Sequence, residues 1–187
     1  MVDKARLLRT LKLDGLQLSH ASHTLRADKD VALTAVTQNA YALEFVGDKL
    51  SSNREIVLAA VNNRGWALEL ANTHMRGDRE IVAAAVQQDG FALQWAIDPF
   101  KNDRDIVLKS VTQDGMSLQF ASPALRRNVE VVRAAVYQNG MALIHADIAL
   151  QSNRDIVLIA VANNGYALQY ASEALKTNRD VRLAANF

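Results

Sequence analysis

One 25-residue pattern repeats along the chain, and it constrains the fold more than any other feature of the sequence. Residues 51–75, SSNREIVLAAVNNRGWALELANTHM, align without a gap with residues 151–175, QSNRDIVLIAVANNGYALQYASEAL. The same frame fits repeats that start at residues 1, 26, 51, 76, 101, 126, 151 and 176, the last one incomplete. A 25-residue segment is too short to bury a core alone, so each repeat must pack on its neighbours. We therefore interpret residues 1–187 as a single repeat domain and number positions 1–25 within each repeat.

The first half of each repeat carries the signals of a helix over positions 3–13. Asn53, Asp78 and Asn153 at position 3 are typical N-cap residues, and an acid at position 5 suits the positive end of the helix dipole. A capping box that starts one residue earlier, as with Ser52 and Glu55, is an alternative that the sequence leaves open. Polar residues at positions 12 and 13 and the recurrent glycine at position 15 predict that the helix ends there, with the glycine at positive φ.

The second half predicts another short helix, because leucine holds position 18 in every complete repeat and small or apolar residues follow at positions 21 and 25. An α/β horseshoe, with segments such as Ile-Val-Leu-Ala-Ala-Val as strands, is the main alternative. The leucine-rich repeat pattern that such a fold needs is absent, and the paired alanines favour helix. The sequence thus predicts an all-α fold, an α-solenoid of seven 25-residue helix–turn–helix repeats plus a partial C-terminal capping helix. In that helix Arg182 and Asn186 replace apolar residues, although the stop in mid-repeat also fits a fragment of a longer array.

The repeat unit [DN]-R-[DE]-[IV]-V-L-x-A-V-x-[QN]-[DN]-G-x-A-L-x-x-A-S, which residues 153–172 match closely, resembles the tandem repeats of domain-of-unknown-function family 4116. This resemblance implies short two-helix repeats over almost the whole chain. The family has no established activity, so the resemblance implies no catalytic or binding residues. Repeat 6 departs from the pattern, with Val129 in place of arginine, Arg133 in place of leucine, and Ile144-His145 in place of a polar–aromatic pair.

Charge and composition exclude several classes of protein. Lys and Arg number 21 and Asp and Glu number 20, so the net charge of +1 argues against binding nucleic acid or a membrane surface through bulk charge. The absence of cysteine excludes disulfides and thiolate metal sites. No apolar run approaches the ~18–20 residues that span a bilayer, and the N-terminus has no signal-type stretch. We expect a cytoplasmic protein, or one delivered into a host cell, without membrane insertion.

Three recurrent side-chain types are interpreted as structural. Each base at position 4, such as Arg54, is expected to pair with a position-5 acid of its own or the next repeat. The amides at position 13, such as Gln88, are expected to satisfy helix ends or link repeats. The aromatic residues at positions 16 and 20 are expected to fill the core, although they could also form a stacking platform. They are Tyr41, Trp66, Phe91 and Tyr166, and Phe45, Trp95, Phe120 and Tyr170.

The four histidines do not predict a catalytic or metal site. His20 and His23 are spaced as a pair of ligands, but His145 lies five repeats after His20 and His74 lies two repeats after His23. No nucleophile–base pair, phosphate loop or paired-carboxylate motif accompanies them. We therefore expect no catalysis, no cofactor and no metal.

Residues that escape the repeat pattern are the best candidates for specificity. They concentrate in repeat 6, and the candidate partner-binding residues are Tyr137, Arg133, Ile144, His145 and Asp147, with Trp95 in repeat 4. Arg126 and Arg127 at the entry to repeat 6 belong to the same group. The sequence predicts a protein-binding or scaffold module with a protein or peptide partner. Single-stranded nucleic-acid binding, judged unlikely, and a structural subunit of a larger assembly are the alternatives.

Overall fold

The computed structural model describes residues 4–186, so the first three residues of repeat 1 (Met1–Asp3) and Phe187 lie outside the described residues. Between Lys4 and Asn186 the secondary structure consists of helices without a strand. The all-α solenoid prediction is confirmed. Each repeat contributes a long α-helix, a six-residue 3-10 helix and, in most repeats, a short α-helix that leads into the next repeat.

The helix bounds follow the repeat. The long helices are Lys4–Leu11, Lys29–Gln38, Arg54–Asn63, Arg79–Gln88, Arg104–Gln113, Val129–Gln138, Arg154–Asn163 and the partial Arg179–Ala184. The 3-10 helices are Gly15–His20, Ala40–Phe45, Gly65–Leu70, Gly90–Trp95, Gly115–Phe120, Gly140–His145 and Gly165–Tyr170. The short helices are His23–Arg26, Thr73–Arg76, Asp98–Lys101, Ile148–Gln151 and Glu173–Lys176, with a 3-10 turn at Leu125–Arg127 in repeat 5.

Position 3 caps the long helix, which settles the alternative that the sequence left open. Asn53 Oδ1 accepts from the backbone N–H groups of Glu55 and Ile56 at 3.1 and 3.3 Å. The same pair of bonds recurs at the other position-3 caps, for example at Asn153. Such a cap stabilises a helix by about 1 kcal/mol. The hydroxyl of Ser52 instead lies within hydrogen-bond distance of the Asn72 side-chain amide.

The prediction for the position-15 glycine was wrong. No glycine among residues 4–186 has a positive φ, and the long helix ends in an extended residue at position 14, such as Asn39 with φ −145°. The Asn39 side chain then caps the 3-10 helix by accepting from Tyr41 N at 3.0 Å. Where glycine holds position 15, it allows close approach: a Cβ on Gly90 would lie 2.5 Å from the carbonyl oxygen of Ser110 in the next repeat.

The 3-10 geometry also overturns the core assignment of Tyr41 and Tyr166 at position 16, whereas Trp66 and Phe91 at the same position are half-buried. A 3-10 helix has three residues per turn, so positions 15, 18 and 21 share one face and positions 16 and 19 share another. The first face is buried, as Leu93 and Ala96 show. The second faces solvent: Tyr41 is 53% exposed and Tyr166 is 71% exposed. At position 20 the aromatic residues Phe45, Trp95, Phe120 and Tyr170 are only half-buried.

The core is built from small and branched side chains. In repeats 2–7 positions 6, 7, 10 and 11 of every long helix are buried, and position 17 joins them from the 3-10 helix. Most of these residues are Ile, Val or Ala. Ser110 and Ser117 occupy the alanine positions 10 and 17 of repeat 5, and their buried hydroxyls lie 2.6 Å apart.

Contacts divide the chain into two compact units. The first runs to Gln88 and includes Trp95–Ile97, and the second comprises Asp89–Gln94 and the chain from Asp98 onward. Within each unit consecutive long helices pack on each other, for instance Lys29–Gln38 on Arg54–Asn63 and Arg104–Gln113 on Val129–Gln138. The single-domain organisation stays a prediction.

Two hydrogen-bond ladders recur inside the units, one between consecutive repeats and one within each repeat. In the first, the position-13 amide of one repeat reaches the preceding one: Gln138 Oε1 accepts from Gly115 N at 2.6 Å, and its Nε2 donates to Gln113 O at 3.3 Å. This confirms the interpretation of the amides. In the second, a backbone N–H near position 22 donates to a position-1 carbonyl, as from Asp147 to Arg126 at 3.0 Å. This second ladder places the end of each 3-10 helix against the first residues of the same repeat.

Candidate functional site

The structure brings together only some of the residues that the sequence singled out. His145 and Asp147 line one cavity of about 260 Å³ in the second unit, together with Pro123, Arg126, Arg127, Ala146 and Ile148. We call this the repeat 6 cavity. Arg133 and Tyr137 lie elsewhere, exposed on the long helix Val129–Gln138, and Ile144 lies on the 3-10 helix just before His145. Trp95 ends the 3-10 helix of repeat 4, is half-buried, and belongs to the first unit.

One side of the repeat 6 cavity is a closed ion pair. Arg127 Nε donates to Asp147 Oδ2 at 2.8 Å, and Asp147 Oδ1 accepts from the backbone N–H of Ala149 at 3.1 Å. The bond from Arg127 holds the pKa of the Asp147 carboxyl below its ordinary value, and the backbone bond acts in the same direction. Both carboxylate oxygens therefore have partners, and the charge of Asp147 is matched by Arg127.

The other side holds polar groups without matching partners. Within residues 4–186 Arg126 forms no ion pair, and its Nε atom is buried without a hydrogen-bond partner. The Nε2 atom of His145 is likewise buried and unpartnered. Burial, followed by the nearby Arg126 charge, lowers the pKa of the His145 imidazole. The cavity lining thus has two guanidinium groups and one carboxylate, beside a histidine whose charged form is disfavoured.

Apolar side chains on the surface also concentrate in repeat 6. Nine large apolar residues are exposed among residues 4–186, and four of them belong to this repeat: Val129, Tyr137, Ile144 and Ile148. Tyr137 and Ile148 are more than three-quarters exposed. At the corresponding positions other repeats carry polar residues such as Arg54, Thr112, Gln119 and Asp98. Repeat 6 is therefore the repeat in which these mostly polar positions are apolar.

Sequence reasoning missed a second concave surface, which lies in the first unit. A groove of about 280 Å³ is lined by Gln38, Asn39, Ala40, Tyr41, Asn63, Arg64 and Trp66, and we call it the aromatic groove. The rings of Tyr41 and Trp66 are in contact, with their centroids 4.1 Å apart and their planes tilted by 42°. Arg64 is exposed, and the hydrogen bond that it makes runs 3.5 Å to the neighbouring Asn63 carbonyl.

The sequence did contain a signal for the aromatic groove. Ala40 is the one residue other than glycine at position 15 in the seven complete repeats, and Arg64 is the one residue other than Asp or Asn at position 14. Arg64 gives the following 3-10 helix no side-chain cap. At the same junction Asn63 donates to the carbonyls of Val36 and Thr37, whereas Asn163 in repeat 7 donates to the equivalent Tyr137 carbonyl and also accepts from Gly140 N. The two departures lie in adjacent repeats and line one groove.

The position-4 bases pair with position-5 acids of the next repeat, as the sequence predicted, and two of them also pair with the position-3 acid, which it did not predict. Lys4 pairs with Asp28 at 2.7 Å, and Arg54 pairs with Asp78 at 2.9 Å and with Glu80. Arg104 pairs with Glu130, and Arg154 pairs with Asp180 at 2.7 Å. These cations are therefore matched by acids of the next repeat. Val129 interrupts the pattern at repeat 6.

The described residues contain neither a cluster of metal-ligand type nor a helix that could span a membrane. Among residues 4–186 no group of three or more His, Asp or Glu side chains is arranged to hold a metal ion. In the same part of the chain every helix is too short or too polar to cross a membrane.

Comparison with known proteins gives one family. The model of a domain of unknown function, DUF4116, matches residues 3–51, 28–76, 53–101, 78–126, 128–176 and 153–185. Each match covers about two 25-residue repeats, apart from the shorter last one. Successive matches advance by one repeat, except that the step from 78–126 to 128–176 is two repeats. No curated protein and no solved structure matches the chain.

Proposed function

The chain belongs to the DUF4116 family, and we propose that it acts as a protein-binding or scaffold module, without catalysis, whose partner contacts repeat 6. The observation that carries this proposal is the set of exposed apolar side chains Val129, Tyr137, Ile144 and Ile148. They lie on the long helix, the 3-10 helix and the short helix of the same repeat. The partner is a protein segment, because scattered apolar contacts around a small polar cavity suit a peptide surface better than a small molecule.

The repeat itself supplies the variant that tests this proposal. Replacing the four residues by those of other repeats (Val129→Arg, Tyr137→Thr, Ile144→Gln and Ile148→Asp) changes only exposed positions, so the fold should remain. The matched control makes conservative changes at the same positions of repeat 4: Arg79→Lys, Gln87→Asn, Gln94→Glu and Asp98→Glu. Circular dichroism and thermal melting establish that both variants keep the helical fold.

The assay is quantitative affinity capture from the source cell, followed by a binding isotherm with the purified partner. We expect the repeat 6 variant to weaken binding at least roughly tenfold, because loss of a few central apolar contacts dominates the affinity of most interfaces. The control should bind as the wild type does. Equal binding of a purified partner to the wild type and the repeat 6 variant would show that the surface was chosen wrongly.

Single-stranded nucleic-acid binding is a second candidate function, and the aromatic groove is the observation that favours it. Exposed rings stack on bases, and an adjacent arginine suits a phosphate. The paired position-4 bases count against it, since their charges are already matched. Fluorescence anisotropy with a labelled ten-nucleotide RNA at 50 and 200 mM salt tests this candidate. Binding that weakens with salt and is lost in Tyr41→Ala would support it, whereas no binding at 50 mM salt would reject it.

A further inference from the structure

The repeat 6 cavity has the composition of an oxyanion site. Arg126 forms no ion pair within residues 4–186, and the one carboxylate that lines the cavity, Asp147, lies near Arg126 but is hydrogen-bonded by Arg127 and Ala149 N. His145 contributes a ring that can gain a proton. A guanidinium offers a planar fork of N–H donors that fits phosphate or carboxylate oxygens. The cavity therefore has a surplus of positive charge and donors.

This combination occurs once in the chain. Arg26 and Arg76 occupy the same repeat position as Arg126, and their Nε atoms are buried without partners as well. The residues after them are Ala27 and Gly77, however, and the position-20 residues of their repeats are Phe45 and Trp95. Only at repeat 6 do two consecutive arginines meet a histidine.

The rim of the cavity indicates how the anion is presented. Pro123 and Ile148 line the same cavity, and Ile148 is 78% exposed. An apolar rim beside a cationic floor suits a charged group carried on a peptide, whose remaining atoms contact the rim. We propose that the repeat 6 cavity binds the phosphate group of a phosphorylated side chain on the partner segment. This inference rests on the proposed function, because it names the chemistry that the same partner brings.

Protonation of His145 and binding of phosphate are linked. Arg126 and burial disfavour the imidazolium, and the Arg127–Asp147 pair contributes little net charge. A phosphate anion in the cavity offsets Arg126 and stabilises the imidazolium, so bound phosphate raises the pKa of His145. By linkage, protonation of His145 tightens the binding of phosphate of a given charge.

The test follows the His145 ring signals by NMR over a pH series, in inorganic phosphate and in chloride at equal ionic strength. We expect phosphate to raise the pKa of His145 in a saturable manner and to leave His20, which holds the same position in repeat 1, unchanged. Arg126→Gln should weaken the phosphate affinity roughly tenfold through loss of a charge-assisted bond. Arg76→Gln is the matched control and should respond as the wild type does.

Two further ligands distinguish a phosphate site from a carboxylate site. N-acetyl-phosphoserine amide should reproduce the phosphate effect, and N-acetyl-glutamate amide should not reproduce it at the same concentration. Equal responses to the two amides would replace the phosphate assignment by a carboxylate site. Identical phosphate responses of His145 and His20, or of the wild type and Arg126→Gln, would overturn the inference. None of these measurements uses the partner, so they can fail while the proposed function stands.

Discussion

Replacing Gly90 by alanine tests the account of how neighbouring repeats are held together. The added Cβ would lie 2.5 Å from the carbonyl oxygen of Ser110 and 3.0 Å from both the backbone nitrogen and the Cβ of Asp114. A carbon and a carbonyl oxygen come no closer than about 3.3 Å without strain. The long helix Arg104–Gln113 must therefore move by close to an ångström. The obstructing atoms are backbone atoms and a Cβ, so no flexible side chain can turn away.

Overpacking of this kind costs about 1–3 kcal/mol. The bond from Ser110 Oγ to Gly90 O, now 2.8 Å, would be stretched by the same movement. For a chain of this size each kcal/mol lowers the melting temperature by roughly 2–4 °C, so we expect a fall of about 2–12 °C. Urea denaturation followed by circular dichroism measures the free energy of unfolding, and thermal melting gives an independent value.

Gly77→Ala is the matched control for Gly90→Ala. Gly77 ends a short helix with φ −97°, which alanine adopts readily, and an added Cβ would meet its nearest neighbour at 3.2 Å. We expect its free energy of unfolding to stay within about 1 kcal/mol of the wild type, since alanine also restricts the unfolded chain. If Gly90→Ala unfolds at the wild-type urea concentration, or if both variants lose equal stability, close approach is not the reason for glycine at position 15.

Three other predictions concern single contacts. Arg64→Asn should restore the missing cap of the 3-10 helix Gly65–Leu70 and raise the free energy of unfolding in urea by about 0.5–1.5 kcal/mol; an unchanged midpoint would contradict the capping argument. Ser110→Ala should cost about 1–2 kcal/mol because it leaves the buried Ser117 hydroxyl without its partner, and the double variant with Ser117→Ala should regain most of that loss in a double-mutant cycle. The bond from Arg54 lowers the pKa of the Asp78 carboxyl. The stabilisation that this pair provides is therefore present above the ordinary pKa of an aspartate and is lost as pH falls through the pKa of Asp78 in the folded state. NMR titration should show the pKa of Asp78 rising in Arg54→Gln.

The features that followed from the sequence are those set by short-range patterns or by the repeat period. The Asn53 cap depends on a residue and its next three neighbours, and the Arg54–Asp78 pair follows once equivalent residues are known to stack one repeat apart. The 3-10 helices were mistaken for α-helices because six residues make only two turns. Over so short a stretch, buried residues spaced three apart, as in a 3-10 helix, cannot be told from buried residues spaced three and four apart, as in an α-helix. Tyr41 and Tyr166 were placed in the core for that reason.

The two candidate sites differ in what the sequence could reveal. His145 and Arg127 were recognised because each departs from the residue that most repeats carry at its position, whereas Arg126 shares its position with Arg26 and Arg76. That they line one cavity could not be predicted, since it depends on the backbone bond between Asp147 and Arg126 that closes each repeat. The aromatic groove was missed although Ala40 and Arg64 both break the pattern, because its residues lie in separate repeats and their juxtaposition depends on the interrepeat packing.

Arg64 bears on whether such departures reflect function or tolerance of change. Position 14 caps the 3-10 helix in the repeats where Asn39, Asp89, Asp114, Asn139 and Asn164 stand, and a cap stabilises by about 1 kcal/mol. Arg64 gives up this cap and gains no ion pair within residues 4–186. Arg64 thus forgoes a contribution to the fold that the other caps provide, and it lies beside the Tyr41 and Trp66 rings in the aromatic groove, where the proposed nucleic-acid binding would give it a role.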